Sequence, residues 1–161
     1  MIPKKGDNVE AIQPGNPAPT IVLPDQEKDP VDLASLKGTK LLLSFHPLAW
    51  TSVCRRQMEA LEANVEALDA LNARAFGISV DPVPSKKAWA DAIGIKTTRL
   101  LSDFWPHGAV ASALGLFRED DGFSERAAVL LDEAGVIRFV KVYPIGEVPD
   151  VGELLGELKR L

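Results

Sequence analysis

A chain of 161 residues with a formal charge of −5, nearly half apolar and about a quarter charged, is long enough to fold around one sizeable core. Its cations form no cluster, and Arg55-Arg56 and Lys86-Lys87 are isolated pairs, which argues against a nucleic-acid surface, where phosphate binding needs clustered Lys and Arg. No segment approaches the ~20 apolar residues of a membrane span, and Met1 to Asp7 has no apolar run behind its lysines, so a cytoplasmic protein is expected.

Residues 1–14 read as an N-terminal arm, because Pro14-Gly15-Asn16-Pro17-Ala18-Pro19 suits neither helix nor central strand, and residues 15–161 read as one domain. Thr20 to Leu23 predicts a short strand. Leu41 to Phe45, continuously apolar but for Ser44, predicts a strand buried on both faces and ended by Pro47. From Thr51 the positions Cys54, Met58, Leu61, Val65 and Leu68 recur at steps of four and three, the stripe of one helix reaching about Asn72. Ala75 to Val80 is the next strand. Ser85 to Ile93 is a helix opened by a serine cap, and His107 to Leu116 another that begins after Pro106. Arg126 to Leu131 and Val136 to Tyr143 form a hairpin through Asp132-Glu133-Ala134-Gly135, and Val151 to Leu161 is an amphipathic helix. A βαβ unit followed by ββα is the α/β layout of a thioredoxin-like fold, a mixed central sheet flanked by helices.

Cys54 is the single cysteine, so no internal disulfide can form, and the usage fits a reducing compartment. With Thr51 as N-cap it occupies the third helical position, and with Ser52 as N-cap the second. Either register leaves its sulfur near unpaired backbone N–H groups and the positive helix end, which favour thiolate. The bland alternative is equally concrete. Cys54 lies on the apolar stripe, where a free cysteine serves as a small hydrophobe. His46 and His107 are too far apart to give a zinc spacing with one cysteine, and no cofactor or metal is implied.

Pro47, Thr51 and Cys54 fit P-x-x-x-[T/S]-x-x-C, and the surrounding run resembles the active-site loop of the peroxiredoxins, thiol-dependent peroxidases on a thioredoxin-like fold. Gly15 to Pro19 with Leu23 and Asp25, Leu100-Leu101-Ser102-Asp103 with Gly108 and Gly115, and Arg126 to Asp132 resemble further family segments in order. The stretch Ser102 to Val110 is similar to the one-cysteine, AhpE-type branch. The resemblance implies that Cys54 is the peroxidatic nucleophile, oxidised by hydrogen peroxide or organic hydroperoxides to sulfenic acid. It further implies that Thr51 bonds the peroxide or the thiolate, that Pro47 shields the sulfur, and that Arg126 supplies a permanent cation. His46, Trp50 and Val53 are candidate pocket residues. Gln57 stands where many members carry Glu, and Ala128 where Ser or Thr is usual. With no second cysteine the sulfenic acid must be recycled by an external thiol, a low-molecular-weight thiol or a small redox protein. A homodimer is implied, with Trp50 and Phe104-Trp105-Pro106 as contact points. The competing readings on the same fold are thioredoxin-like thiol exchange, disfavoured because Cys54-Arg55-Arg56-Gln57 lacks a second cysteine, and a non-enzymatic binding or chaperone module.

Overall fold

The computed structural model describes residues 10–161. Strand β1 (Val22–Pro24) pairs antiparallel with β2 (Pro30–Asp32), and a 3-10 turn (Leu33–Leu36) leads into β3 (Lys40–Phe45). Then follow α1 (Ser52–Ala63), α2 (Val65–Ala70), β4 (Ala73–Ser79), α3 (Val83–Ile93), β5 (Arg99–Ser102) and α4 (Ala109–Ala113). A small hairpin, β6 (Phe117–Arg118) and β7 (Phe123–Ser124), precedes β8 (Arg126–Leu131), β9 (Ile137–Tyr143) and α5 (Val151–Lys159).

The central sheet has five strands in the order β5-β4-β3-β8-β9. β3, β4 and β5 run parallel, whereas β8 is antiparallel to both β3 and β9. β3 is central and its apolar run is buried on both faces, as the absence of alternation predicts. The period of two splits that run cleanly. Leu41, Leu43 and Phe45 join one core with Ile21, Val31 and Leu114, while Leu42 joins a second with Cys54, Met58, Leu61, Trp89 and Leu154. On β8 the same alternation puts Ala127 and Val129 in the first core and Ala128 and Leu130 in the second. The even-numbered face of β3 and β8 is therefore the one that α1, α3 and α5 cover. Gly77 on β4 lets α1 lie close, because a Cβ there would run into the Met58 sulfur.

Several boundaries differ from the sequence reading. The helix expected over 51–72 breaks at Asn64, whose side-chain amide donates to Ala60 O at 2.7 Å and so competes with the backbone for a carbonyl of the last turn. α3 begins at Val83 with Pro82 as its N-cap, not at Ser85. α4 begins at Ala109 and is shorter than His107 to Leu116, because Asp103 holds its first turn by accepting from Val110 N and Ala111 N, each at 3.0 Å. The strand expected over 20–23 starts at Val22, and β2, β5 and the β6-β7 hairpin add to the expected set. The β8-β9 hairpin is as read, with Asp132 Oδ1 accepting from Ala134 N and Val136 N across the turn. Of the expected arm, residues 1–9 lie outside the described residues. Ala11 and Ile12 pack on the first core, and Ile12 N donates to Leu114 O at 2.9 Å. Among the described residues, no helix is long and apolar enough to cross a membrane.

Candidate active site

The site is built where β3 ends. His46 N still donates to Ile78 O at 3.0 Å, but Pro47 has no N–H and the ladder stops. The chain then turns through Leu48-Ala49-Trp50 into α1. This turn is held from the β4-α3 connection and the start of α3: Asp81 Oδ2 accepts from Ala49 N at 2.8 Å, and Trp50 Nε1 donates to Ser85 Oγ at 3.1 Å. Those anchors support Trp50 at φ 68°, a left-handed conformation that costs a bulky residue about 1–2 kcal/mol.

Thr51 is the N-cap of α1, which places Cys54 at the third helical position, the first of the two registers open from sequence. Its hydroxyl does not cap the helix. It donates to Leu48 O at 2.8 Å, so the free N–H groups of the first turn keep their dipole for an anion, and no acidic residue in that turn competes. With its proton committed, Oγ1 presents only lone pairs, suited to accept from a peroxide O–H.

Cys54 is fully buried, and its sulfur accepts from Arg126 Nη1 at 3.2 Å. Arg126 opens β8, and the even-numbered face of that strand turns it toward α1. Its guanidinium is fixed on three sides. Beside the sulfur, Nη1 donates to Gln57 Oε1 at 2.7 Å and Nε donates to Ile145 O at 2.9 Å. Gln57 is oriented in turn by donating through Nε2 to Ser44 Oγ at 2.7 Å and Phe45 O at 3.0 Å. That orientation is the only one that matches donors to acceptors at both ends of the amide. A buried cation thus touches a buried sulfur, with its other contacts neutral, and an anionic sulfur completes the pairing.

Comparison with known proteins bears on this geometry. The AhpC/TSA family matches residues 14–140. Alkyl hydroperoxide reductase E of Mycobacterium bovis is 41% identical over 137 residues, covering 84% of this chain and 89% of its own. The chain belongs to the AhpC/TSA family. Among solved structures, the reduced 2-Cys peroxiredoxin of Plasmodium vivax superposes with a TM-score of 0.82 at 28% identity, over 91% of this chain and 80% of that one. The AhpC of Enterococcus faecalis superposes with a TM-score of 0.84 at 24% identity, over 91% and 90%, and speaks to the fold alone. This AhpC/TSA protein therefore has the thioredoxin-like peroxiredoxin fold and is a thiol-dependent peroxidase, an oxidoreductase whose family uses peroxide substrates and thiol reductants.

Within the peroxidase, Cys54 and Arg126 meet, His46 lies one step along β3 and β8 from the Phe45–Ala127 pair, and these three and Pro47 are buried. Thr51 is exposed at the helix mouth and Val53 is half-buried. Trp50 is 58% exposed and its indole is tied to Ser85, so it stands on the rim rather than in a pocket. His107 lies away from this cluster, with Nε2 against Gly122 O at 2.7 Å. Gln57 keeps the contact with Arg126 without cancelling its charge. Ala128 pairs with Ser44 across β3 and β8 and is fully buried, leaving the Ser44 hydroxyl to Gln57.

The sequence reading missed a polar group behind the loop. Lys86 is fully buried, and its ammonium donates to Ser79 Oγ and Leu101 O, each at 2.8 Å, while lying 3.4 Å from His46 Nε2. Ser79 Oγ in turn donates to Asp81 Oδ2 at 2.6 Å. Burial drives the Lys86 amine down to about 7 against the pull of Asp81, Cys54 and Asp103. Burial likewise holds His46 well below its usual range, helped by the charges of Lys86 and Arg126. The available signal was spacing: Lys86, Trp89 and Ala90 lie on one face of α3, and a lysine on an apolar stripe is a buried lysine.

Proposed function

We propose that Cys54 is the peroxidatic nucleophile of a one-cysteine cycle acting on hydrogen peroxide and organic hydroperoxides. The observation that carries this reading is the 3.2 Å contact between Arg126 Nη1 and Cys54 Sγ at the start of α1. The thiolate attacks the terminal peroxide oxygen, the O–O bond breaks with its electron pair on the departing oxygen, and the sulfur becomes sulfenic acid. Arg126 stabilises first the thiolate and then the charge on the departing oxygen. Thr51 Oγ1 accepts from the peroxide O–H, and Pro47 closes the site against bulk water while offering no competing donor. An external thiol then attacks the sulfenic sulfur, releasing water and leaving a mixed disulfide. A second thiol regenerates Cys54 and leaves as the oxidised disulfide.

The full burial of Cys54 supports peroxide over disulfide as oxidant, since a small linear O–O group reaches a recessed sulfur more readily than a protein disulfide does. Recycling by a thiol then requires the first turn of α1 to open. We place the enzyme in the cytoplasm, where thiol reductants are abundant, and read it as a homodimer joined through Trp50, Phe104 and Trp105, which are 58%, 47% and 80% exposed. Stoichiometric loss of the thiol on mixing reduced protein with peroxide, with a sulfenic acid trapped at Cys54, is the expected result. Cys54→Ser retaining peroxidase activity would overturn the reading, and a sedimentation mass of one protomer would overturn the dimer.

A further inference from the structure

The reaction has a proton requirement that Cys54, Thr51, Pro47 and Arg126 do not meet. When a thiolate attacks a hydroperoxide, the departing oxygen leaves as alkoxide or hydroxide and must gain a proton. Arg126 stays charged throughout and the Thr51 hydroxyl donates its hydrogen bond to Leu48 O, so neither supplies one.

The buried polar group behind the loop has a proton to give. An ammonium only donates, and Lys86 spends two of its three N–H bonds on Ser79 and Leu101. The third faces His46 Nε2 at 3.4 Å, so Nε2 is the acceptor and the imidazole carries its proton on Nδ1. Nδ1 is buried and has no partner among the described residues. A buried orphan donor costs about 1–3 kcal/mol and calls for a ligand with an oxygen acceptor.

Strand register places His46 beside the residue that contacts the reacting sulfur. Phe45 pairs with Ala127, so His46 comes opposite Arg126 one step further along the same two strands. Both lie on the even-numbered face that meets α1, where the His46 ring packs on Trp89 with centroids 5.3 Å apart. Ser124 Oγ holds the His46 carbonyl at 3.3 Å, which fixes the backbone of one residue next to that of the other. Side chains opposite each other on one face of an antiparallel pair have Cβ atoms about 4.5–5.5 Å apart.

Resting on the assignment of Cys54 as nucleophile, we propose that Lys86 and His46 form a proton relay to the departing oxygen. His46 Nδ1–H protonates the oxygen as the O–O bond breaks, and Nε2 takes a proton from Lys86. The step balances as Cys54 thiolate, hydroperoxide and Lys86 ammonium giving Cys54 sulfenic acid, alcohol and Lys86 amine. Sulfur loses two electrons and the O–O bond gains them. The proton freed when the second external thiol regenerates the thiolate returns along the same path.

The charges facing Lys86 fit this timing. Burial works against its proton, and Asp81, the Cys54 thiolate and Asp103 hold it. Oxidation removes the thiolate charge, so Lys86 loses proton affinity at the moment the alkoxide needs a proton. Burial brings the amine to about 7, where it can give and retake a proton at neutral pH. The Nζ to Nε2 separation is long for transfer and shortens in the loaded site, as such contacts do.

The test compares oxidants that differ in leaving group. tert-Butyl hydroperoxide expels a strongly basic alkoxide, whereas peroxyacetic acid expels acetate, which needs no proton at neutral pH. We expect Lys86→Met to lower the ratio of the two oxidation rates about 10²-fold, the scale of lost general acid catalysis. His46→Phe, which keeps a ring on Trp89, lowers it by the same factor and decides the matter if Lys86→Met does not fold. A merely structural role slows both oxidants alike. An unchanged ratio in a folded variant overturns the relay while leaving Cys54 as nucleophile. Wild-type protein whose thiol survives both oxidants overturns the peroxidase reading itself.

Discussion

Replacing Arg126 with Met removes the cation while keeping most of the volume of its stem. The guanidinium makes three contacts, at 3.2 Å to the sulfur, 2.7 Å to Gln57 Oε1 and 2.9 Å to Ile145 O. At an effective dielectric of about 20, two unit charges about 4 Å apart interact by about 4 kcal/mol, and each ~1.4 kcal/mol is a factor of ten. The change should therefore slow oxidation of Cys54 by about 10²- to 10³-fold, the range seen when one such preorganised donor is lost. Gln57 Oε1 loses a donor as well, which adds about 1–3 kcal/mol of destabilisation. The assay is free-thiol loss after rapid mixing of reduced protein with hydrogen peroxide, with thiolate absorbance read in parallel and Arg126→Lys as a variant that keeps the charge. If Arg126→Met oxidises at the wild-type rate, the cation plays no part and the electrostatic account fails.

Gln57→Glu places a carboxylate where the amide donates to Phe45 O, so it should weaken folding by about 1–3 kcal/mol in urea titration and, by partly neutralising Arg126, reduce the thiolate signal. Thr51→Val should slow peroxide consumption by about 10-fold or more, Thr51→Ser much less, because the hydroxyl bonds Leu48 O and, in the proposed reaction, accepts from peroxide. Lys86 also ties stability to pH. The unfolded chain keeps its proton to about 10.5 whereas the native protein releases it near 7, so between these values the unfolded state binds more protons and stability rises with pH. Denaturant midpoints should climb from about pH 7 toward pH 9, by up to roughly 5 kcal/mol across the whole window, and stay flatter in Lys86→Met. Near pH 10 Tyr143 opposes the trend, because burial and then Glu153, Asp150 and Glu147 keep its phenol protonated in the native state after the unfolded one has ionised.

The parts of the fold with strong periodicity were legible from residues alone. The buried run of β3, the stripe of α1 and the Asp132-Gly135 hairpin each carry a local signal that packing reinforces. What was illegible depends on distant partners. The break at Asn64 comes from a side chain reaching back four residues, and the short α4 from Asp103 capping it across a loop. β2 has three residues and the β6-β7 hairpin two in each strand, too few for a period to show. The register of α1 was narrowed to two choices by chemistry and fixed by the fold, which also showed that the Thr51 hydroxyl bonds the preceding turn rather than the helix. Arg126 reached the candidate set through family resemblance, since a strand-leading arginine has no local signature and its meeting with Cys54, 72 residues away, is a matter of topology. Lys86 illustrates the converse. Paired with Lys87 it reads as surface charge, yet Lys87 bonds Glu27 and Asp91 at the surface while Lys86 points into the core.

The most direct measurement is rapid mixing of fully reduced protein with one equivalent of hydrogen peroxide, followed by trapping of sulfenic acid and mapping of the modified residue. The expected result is loss of one thiol per chain, a sulfenic acid on Cys54, its recovery on adding excess thiol, and no peroxide consumption by Cys54→Ser. A Cys54 thiol that persists in the presence of peroxide, or a Cys54→Ser protein that still consumes it, would contradict the central claim.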